Sequence, residues 1–167
     1  KTMKLIKAAV KAKDAQTAVQ NFNAAIESND ENATVYYAYA MYVYETGLNY
    51  YKTQPNPAIG NRSFERAEEL FSSTLNICSD YHANCSYYLG VINYTQKEMP
   101  SAIKWFKEFK DYEHEDNDRY PEDYTKKLKD VTEVLDDLLK DQEIKSQAVP
   151  FKPQIVRNVS TEKQEYF

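Results

Sequence analysis

Two pairs of tyrosines carry most of the chemistry this sequence offers. Tyr37 and Tyr44 stand seven residues apart, and so do Tyr87 and Tyr94. On an α-helix that spacing is two turns along one face. Tyrosine is abnormally frequent, fifteen of 167 residues, so the rings need a reason. A phenol supplies a large contact area with few rotors to freeze and a hydroxyl that tolerates water, which suits a recognition surface. With Met41 and Val91 between the members of each pair, the four rings would form a two-by-two aromatic grid. The bland alternative is that they pack on neighbouring helices.

Other groups offer less. His82 and His114 are isolated near turns, where a surface histidine is the ordinary reading. No serine sits in a Gly-x-Ser-x-Gly elbow, and three glycines cannot build a phosphate loop. The acidic groups Glu113, Glu115, Asp116 and Asp118, and the pair Asp136 and Asp137, lack the alternating spacing and turn glycine of a calcium loop. A solvated charged face is their default. Cys78 and Cys85 are seven apart across an expected helix–helix turn; with two histidines and no Cys-x-x-Cys, a zinc site is not expected. The cysteines are either two small thiols in the core or a disulfide stapling the turn, and a disulfide would point to an oxidising compartment. No enzyme activity and no cofactor are expected.

Composition sets the bounds. At 167 residues the chain is one domain or a short repeat array, long enough to bury roughly 70% of its unfolded surface. Three Gly and six Pro, with abundant Ala, Glu, Lys and Leu, favour helix over an all-β fold. A net charge of −5 without a basic cluster on one helix face argues against nucleic acid. No run of about 18 apolar residues could span a membrane. The chain starts at Lys1 inside a helical pattern, without Met or signal peptide, and is expected to be a fragment of a longer protein.

The elements that must position the tyrosines follow from apolar periodicity. Residues 4–12 make a short first helix. Asp14 caps a second, Ala15 to Ser28, whose apolar face is Ala18, Val19, Phe22, Ala25 and Ile26. The third runs from about Ala33 to Leu48, with Gly47 suited to its C′ position. Asn49 to Arg62, with Pro55, Pro57 and Gly60, reads as an inserted loop. Its Tyr50, Tyr51, Pro55 and Pro57 are aromatic and stiff enough to fold over a groove or dock a partner, with disorder as the alternative. Ser63 caps the fourth helix, which buries Phe64, Ala67, Leu70, Phe71 and Leu75. The fifth runs from about Ala83 to Gln96, and the sixth, with Pro100 in its first turn, to about Tyr112. From Pro121 a seventh helix reaches Lys145, with Tyr124, Leu128, Val131, Leu135 and Leu138 as a one-sided stripe. Beyond Gln147 the prolines Pro150 and Pro153 restrict an extended chain.

Small residues recur among large ones. Leu89-Gly90, then Ala102 and Phe106, is the skeleton of a helix–turn–helix repeat, and the alanines Ala18, Ala67 and Ala102 are 49 and 35 residues apart. The second gap is close to a period of about 34. The first is one period plus about fifteen residues, which Asn49–Arg62 would supply. These residues resemble the tetratricopeptide (TPR) repeat: Leu89-Gly90, Ala102 and Phe106 in one unit, Asp14, Ala18, Phe22 and Ala25 in another, and Ala33, Tyr36, Tyr39-Ala40, Gly47, Ala67 and Phe71 between them. The first unit departs by having Ile6 where a small residue is usual, and Phe109 stands at another small position. The resemblance implies an all-α right-handed superhelix over residues 1–145. Its three helix pairs cover about 1–30, 31–80 with the loop 49–62 inserted, and 81–114, followed by a capping helix over 121–145. Residues 146–167 would be an extended linker. In that frame Tyr37, Tyr44, Tyr87 and Tyr94 occupy positions that face the concave groove.

The tail, Val149-Pro150-Phe151-Lys152-Pro153 and Val156 to Phe167, resembles the lead into the first blade of a WD40-like propeller. TPR repeats, a propeller and an OmpA-like peptidoglycan-binding domain follow one another in envelope proteins of the Bacteroidetes, some serving type IX secretion or gliding. That resemblance implies a periplasmic, outer-membrane-associated scaffold, whose peptidoglycan contact would lie in other domains. The five Asn-x-Ser/Thr sequons would then carry no meaning. The expected function is protein–protein interaction, with a peptide or partner helix laid in the groove; the lack of a Lys/Arg clamp in the first helices argues against capture of a C-terminal carboxylate. The rival is a carbohydrate-binding surface, with the tyrosine grid stacking on peptidoglycan sugars.

Overall fold

A computed structural model describes residues 1–53, 57–112 and 124–148. Seven α-helices follow one another there: α1 (Thr2–Val10), α2 (Ala15–Ser28), α3 (Ala33–Thr53), α4 (Pro57–Ile77), α5 (His82–Thr95), α6 (Met99–Asp111) and α7 (Tyr124–Ala148). A 3-10 turn, Ser79–Tyr81, leads into α5, and no strand occurs among the described residues. The fold is all-α. Pro55, the acidic run 113–118 with His114, Pro121 and the tail 149–167 lie outside the described residues.

Local chemistry explains the helix ends. The Asp14 carboxylate accepts the Thr17 backbone N–H at 2.8 Å and the Thr17 hydroxyl at 2.9 Å, satisfying donors that the first turn of α2 leaves open. Hydrogen bonding from Thr17 accordingly holds its pKa below the usual carboxylate value. The helix α5 ends without a glycine. Lys97 takes φ 65°, and the N–H groups of Lys97 and Glu98 donate to the carbonyls of Tyr94 and Asn93 at 3.1 and 2.9 Å. This is a Schellman closure on a residue with a Cβ. Pro100 then lies in the first turn of α6, where its missing N–H is not needed.

Helices pair with their sequence neighbours: α1 with α2, α3 with α4, α5 with α6, and α7 against α6. Within α3–α4, Gly47 faces Phe64 while Tyr51, further along α3, faces Gly60, earlier in α4, so the pair runs antiparallel. Between α5 and α6, Gly90 lies under Phe106 and Tyr87 beside Phe109, again antiparallel. One core cluster extends from α1 to α5 and includes Phe22, Val35, Phe64, Phe71 and Ile92. A second joins α6 to α7 through Ala102, Phe106, Phe109, Val131 and Leu135, and Val91 packs against both.

The described residues of the inserted segment, 49–53 and 57–62, are helical. Helix α3 has 21 residues against 14 in α5, and α4 has 21 against 13 in α6. Seven and eight extra residues account for the fifteen by which the alanine spacing exceeds one period. The insertion therefore lengthens both arms of one hairpin by about two turns. Tyr50 and Tyr51 belong to α3, and Pro57 opens α4 in the turn where proline costs nothing. Gly47 is not a C′ residue and Ser63 is not a cap; both lie inside helices. Gly47 is buried because a Cβ there would come within 2.8 Å of the Phe64 ring.

Candidate binding clefts

The pairs join mainly through tyrosine. Tyr88 of α5 stacks on Phe71 of α4 at 5.7 Å and meets Tyr44 of α3 edge-on at 4.9 Å. Tyr81 lies 5.0 Å from the Tyr37 ring and shares a 3.0 Å hydrogen bond with the Thr34 hydroxyl. Phe22 of α2 stacks on Tyr39 of α3 at 4.7 Å. The buried Asn93 of α5 donates to Glu68 of α4 at 3.0 Å and to the Leu89 carbonyl at 2.7 Å. Burial, foremost, raises the Glu68 pKa, while the Asn93 bond opposes that shift.

These contacts divide the expected grid. Tyr44 is 6% exposed, held between Phe64 and Tyr88, and is core. Tyr37 is half-buried against Phe71 and Tyr81, and Met41 is half-buried against the same core. Burial pushes both phenols above the usual tyrosine range. Tyr37, Tyr44, Tyr87 and Tyr94 therefore do not form one platform, because α3 lies between its neighbours and spends its rings on them. Tyr51 does not fold over a groove either. Its ring covers Gly60, stacks on Phe64 at 5.1 Å, and its hydroxyl donates to Asn61.

Tyr87, Val91 and Tyr94 do come together. They form one wall of a cleft of about 110 Å³, with Phe106 of α6 as its floor and Asp130, Val131 and Val134 of α7 opposite. Tyr94 is 44% exposed at the mouth. The Tyr87 phenol is raised by burial, then by Tyr88 and by the charge of Asp130, so it stays a neutral hydroxyl well above neutral pH. Lys127 of α7 lies 4.9 and 5.1 Å from the rings of Tyr87 and Tyr88 and donates to the Tyr88 hydroxyl at 3.2 Å. That contact latches α7 to α5 and occupies one ring face. The opening is an apolar slot with a carboxylate on its rim. Its α7 wall escaped the sequence reading, where Val131 counted only as packing stripe and Asp130 and Val134 had no part.

The cysteines are free. Cys85 is buried in the core, Cys78 is half-buried, and no disulfide joins them. Burial pushes the Cys85 thiol up to about 12. Among the described residues no group of three or more His, Cys, Asp or Glu side chains could hold a metal ion, and no helix is long and apolar enough to cross a membrane. His82 Nε2 lies 3.4 Å from a Glu108 carboxylate oxygen, tying the start of α5 to α6. Comparison with family models, curated proteins and solved structures finds no match to this chain.

Proposed function

We propose that the chain is a helical-repeat module that binds a protein partner, taking one apolar side chain of that partner into the slot between α5, α6 and α7. The observation that carries this reading is the slot itself: Tyr87, Val91 and Tyr94 over Phe106, walled by α7, with Tyr94 exposed. Its 110 Å³ is well below the roughly 300 Å³ at the small end of small-molecule sites, and matches a single anchoring side chain. Asp130 on the rim disfavours an acidic anchor by like-charge repulsion. A sugar-stacking surface has less support, because Tyr44 is buried and Tyr37 is packed against Phe71 and Tyr81.

The reading extends to architecture and place. Antiparallel neighbouring pairs, the Ala67–Ala102 spacing of 35 residues and the Gly90–Phe106 contact support a TPR-like superhelix capped by α7. The resemblance of the sequence to Bacteroidetes envelope proteins supports a periplasmic, outer-membrane-associated scaffold, of the type IX secretion kind. The free cysteines lend no support to an oxidising compartment.

The test is site-specific photo-crosslinking from position 94, with a benzophenone amino acid replacing Tyr94, in cells making the protein. The expected result is a discrete protein adduct that disappears when Val134→Trp fills the slot. An adduct indifferent to Val134→Trp, or sedimentation of the chain with purified peptidoglycan that depends on Tyr94, would overturn the assignment.

A further inference from the structure

Where the lengthened α3–α4 hairpin runs past the first turn of α2, it leaves a second and larger cleft of about 270 Å³. Val19 and Val43 give it an apolar floor with Tyr42, and Thr46 and Ser63 bring hydroxyls to its edge. Arg62 and Arg66, four residues apart and so on one face of α4, both line it. No carboxylate is among its lining residues, in a protein whose net charge is −5.

The two guanidinium groups are differently held. Arg66 stands 5.5 Å from the Tyr39 ring, and one of its nitrogens lies 2.8 Å from Glu69 in a largely exposed pair. Such a pair is weak and leaves most of the fork's donors unused. Arg62 is exposed and has no acidic partner among the described residues. Two arginines thus meet at an apolar notch with Glu69 as their one counter-ion among the described residues, and that carboxylate serves Arg66 alone. The arrangement matches what a carboxylate beside an aliphatic side chain needs: bidentate donors above, methyl groups below.

We infer that this notch is a docking site for an acidic segment of a protein partner, with Arg62 and Arg66 gripping a Glu or Asp carboxylate while a neighbouring apolar side chain of that segment sits on Val19 and Val43. The fifteen-residue lengthening of the hairpin is then what builds the site, since Arg62 and Ser63 stand on the added turns of α4. The notch lacks the enclosure of a small-molecule pocket, and charge complementarity selects the ligand. This site is separate from the α5–α7 slot and does not depend on it.

The probe is the blocked peptide acetyl-Leu-Glu-Leu-Leu-amide, titrated into the isotope-labelled full chain while the arginine Nε–H signals are followed by NMR. Expected are saturable shifts of the Arg62 and Arg66 signals, with affinity about fivefold lower for the Leu-Gln-Leu-Leu peptide. Arg62→Met should abolish the response with the remaining amide spectrum intact, and Arg62→Lys should retain part of it, since a point charge replaces the fork. Equal binding of the Glu and Gln peptides, shifts that map away from the notch, or inorganic phosphate binding as tightly as the peptide would each overturn the inference.

Discussion

A Cβ on Gly90 would lie 2.5 Å from two carbons of the Phe106 ring. The same relation recurs between Gly47 and Phe64, at 2.8 Å, and with the helices exchanging roles between Gly60 and Tyr51, at 2.6 Å. All three glycines of the protein thus lie inside helices, each under an aromatic ring of the antiparallel partner, and none takes a positive φ. Glycine at a helix interior costs about 1 kcal/mol relative to alanine. Here it lets two backbones approach with a ring between them, and the buried ring offsets the cost.

Gly90→Ala should therefore destabilise the protein although alanine is the better helix former. Overpacking a core position costs about 1–3 kcal/mol, which exceeds the propensity gain. Urea denaturation would give the difference. The double substitution Gly90→Ala/Phe106→Leu should lose less than the sum of the two single changes, since the smaller side chain admits the methyl. Strict additivity would mean that the contact carries no weight.

How far the sequence revealed this depended on each helix's surroundings. In α2, α6 and α7 the apolar residues keep to one side of the helix, and Ala15–Ser28 was legible to the residue together with its Asp14 cap. The helices α3 and α5 lie between neighbours and are apolar around most of their circumference. A seven-residue spacing there identifies a face without saying whether it meets water or another helix, so Tyr44 read as groove and is core. Pro55, Pro57 and Gly60 looked like loop punctuation. Proline is equally at home in a first turn, and Gly60 answers to Tyr51, a pairing that no local pattern displays. The clefts were only half legible, because Asp130 and Val134 across one and Arg62 and Arg66 across the other reach their sites through tertiary packing.

The Lys97 turn offers a stabilising change. With φ at 65°, its Cβ crowds its own backbone at a cost of roughly 1 kcal/mol that glycine does not incur. Lys97 is exposed, so little else is lost on replacing it. Lys97→Gly should raise stability by up to about 0.5 kcal/mol, after the extra freedom of glycine in the unfolded chain is deducted. Thermal unfolding followed by far-ultraviolet circular dichroism would register it as a higher midpoint. A lower midpoint would show that the Lys97 side chain contributes more than its exposure suggests.

The two cysteines should differ sharply toward alkylation. Cys85 is buried and its thiol is pushed up to about 12, so little thiolate exists near neutral pH and none is accessible. Cys78 is half-buried at the end of α4. Iodoacetamide at mildly alkaline pH should therefore modify Cys78 alone in the folded protein and both thiols in denaturant, as read by peptide mass spectrometry. Failure of both to react in denaturant without reductant would instead reveal a disulfide.

Stability should fall steeply in alkali, and the tyrosines at the pair interfaces set the reason. Burial, first of all, holds the phenols of Tyr37 and Tyr44 above the ordinary value near 10, with smaller contributions from the rings beside them. Unfolding returns each to that ordinary value. Below pH about 10 both states keep the proton, and the groups add no pH dependence. Above it the unfolded chain releases protons that the folded chain retains, so stability declines as pH climbs toward the raised folded values, by at most about 1.4 kcal/mol per pH unit for each such phenol. Lysines also titrate in this range, so the effect is isolated by substitution. Tyr37→Phe should flatten the alkaline slope of the urea midpoint relative to the unsubstituted protein. Phenolate absorbance should rise in two stages, the accessible rings first and the buried ones together with the loss of helix. An identical slope in Tyr37→Phe and the unsubstituted protein would place Tyr37 in contact with water, and with it restore the groove-facing role that its packing against Phe71 and Tyr81 denies it.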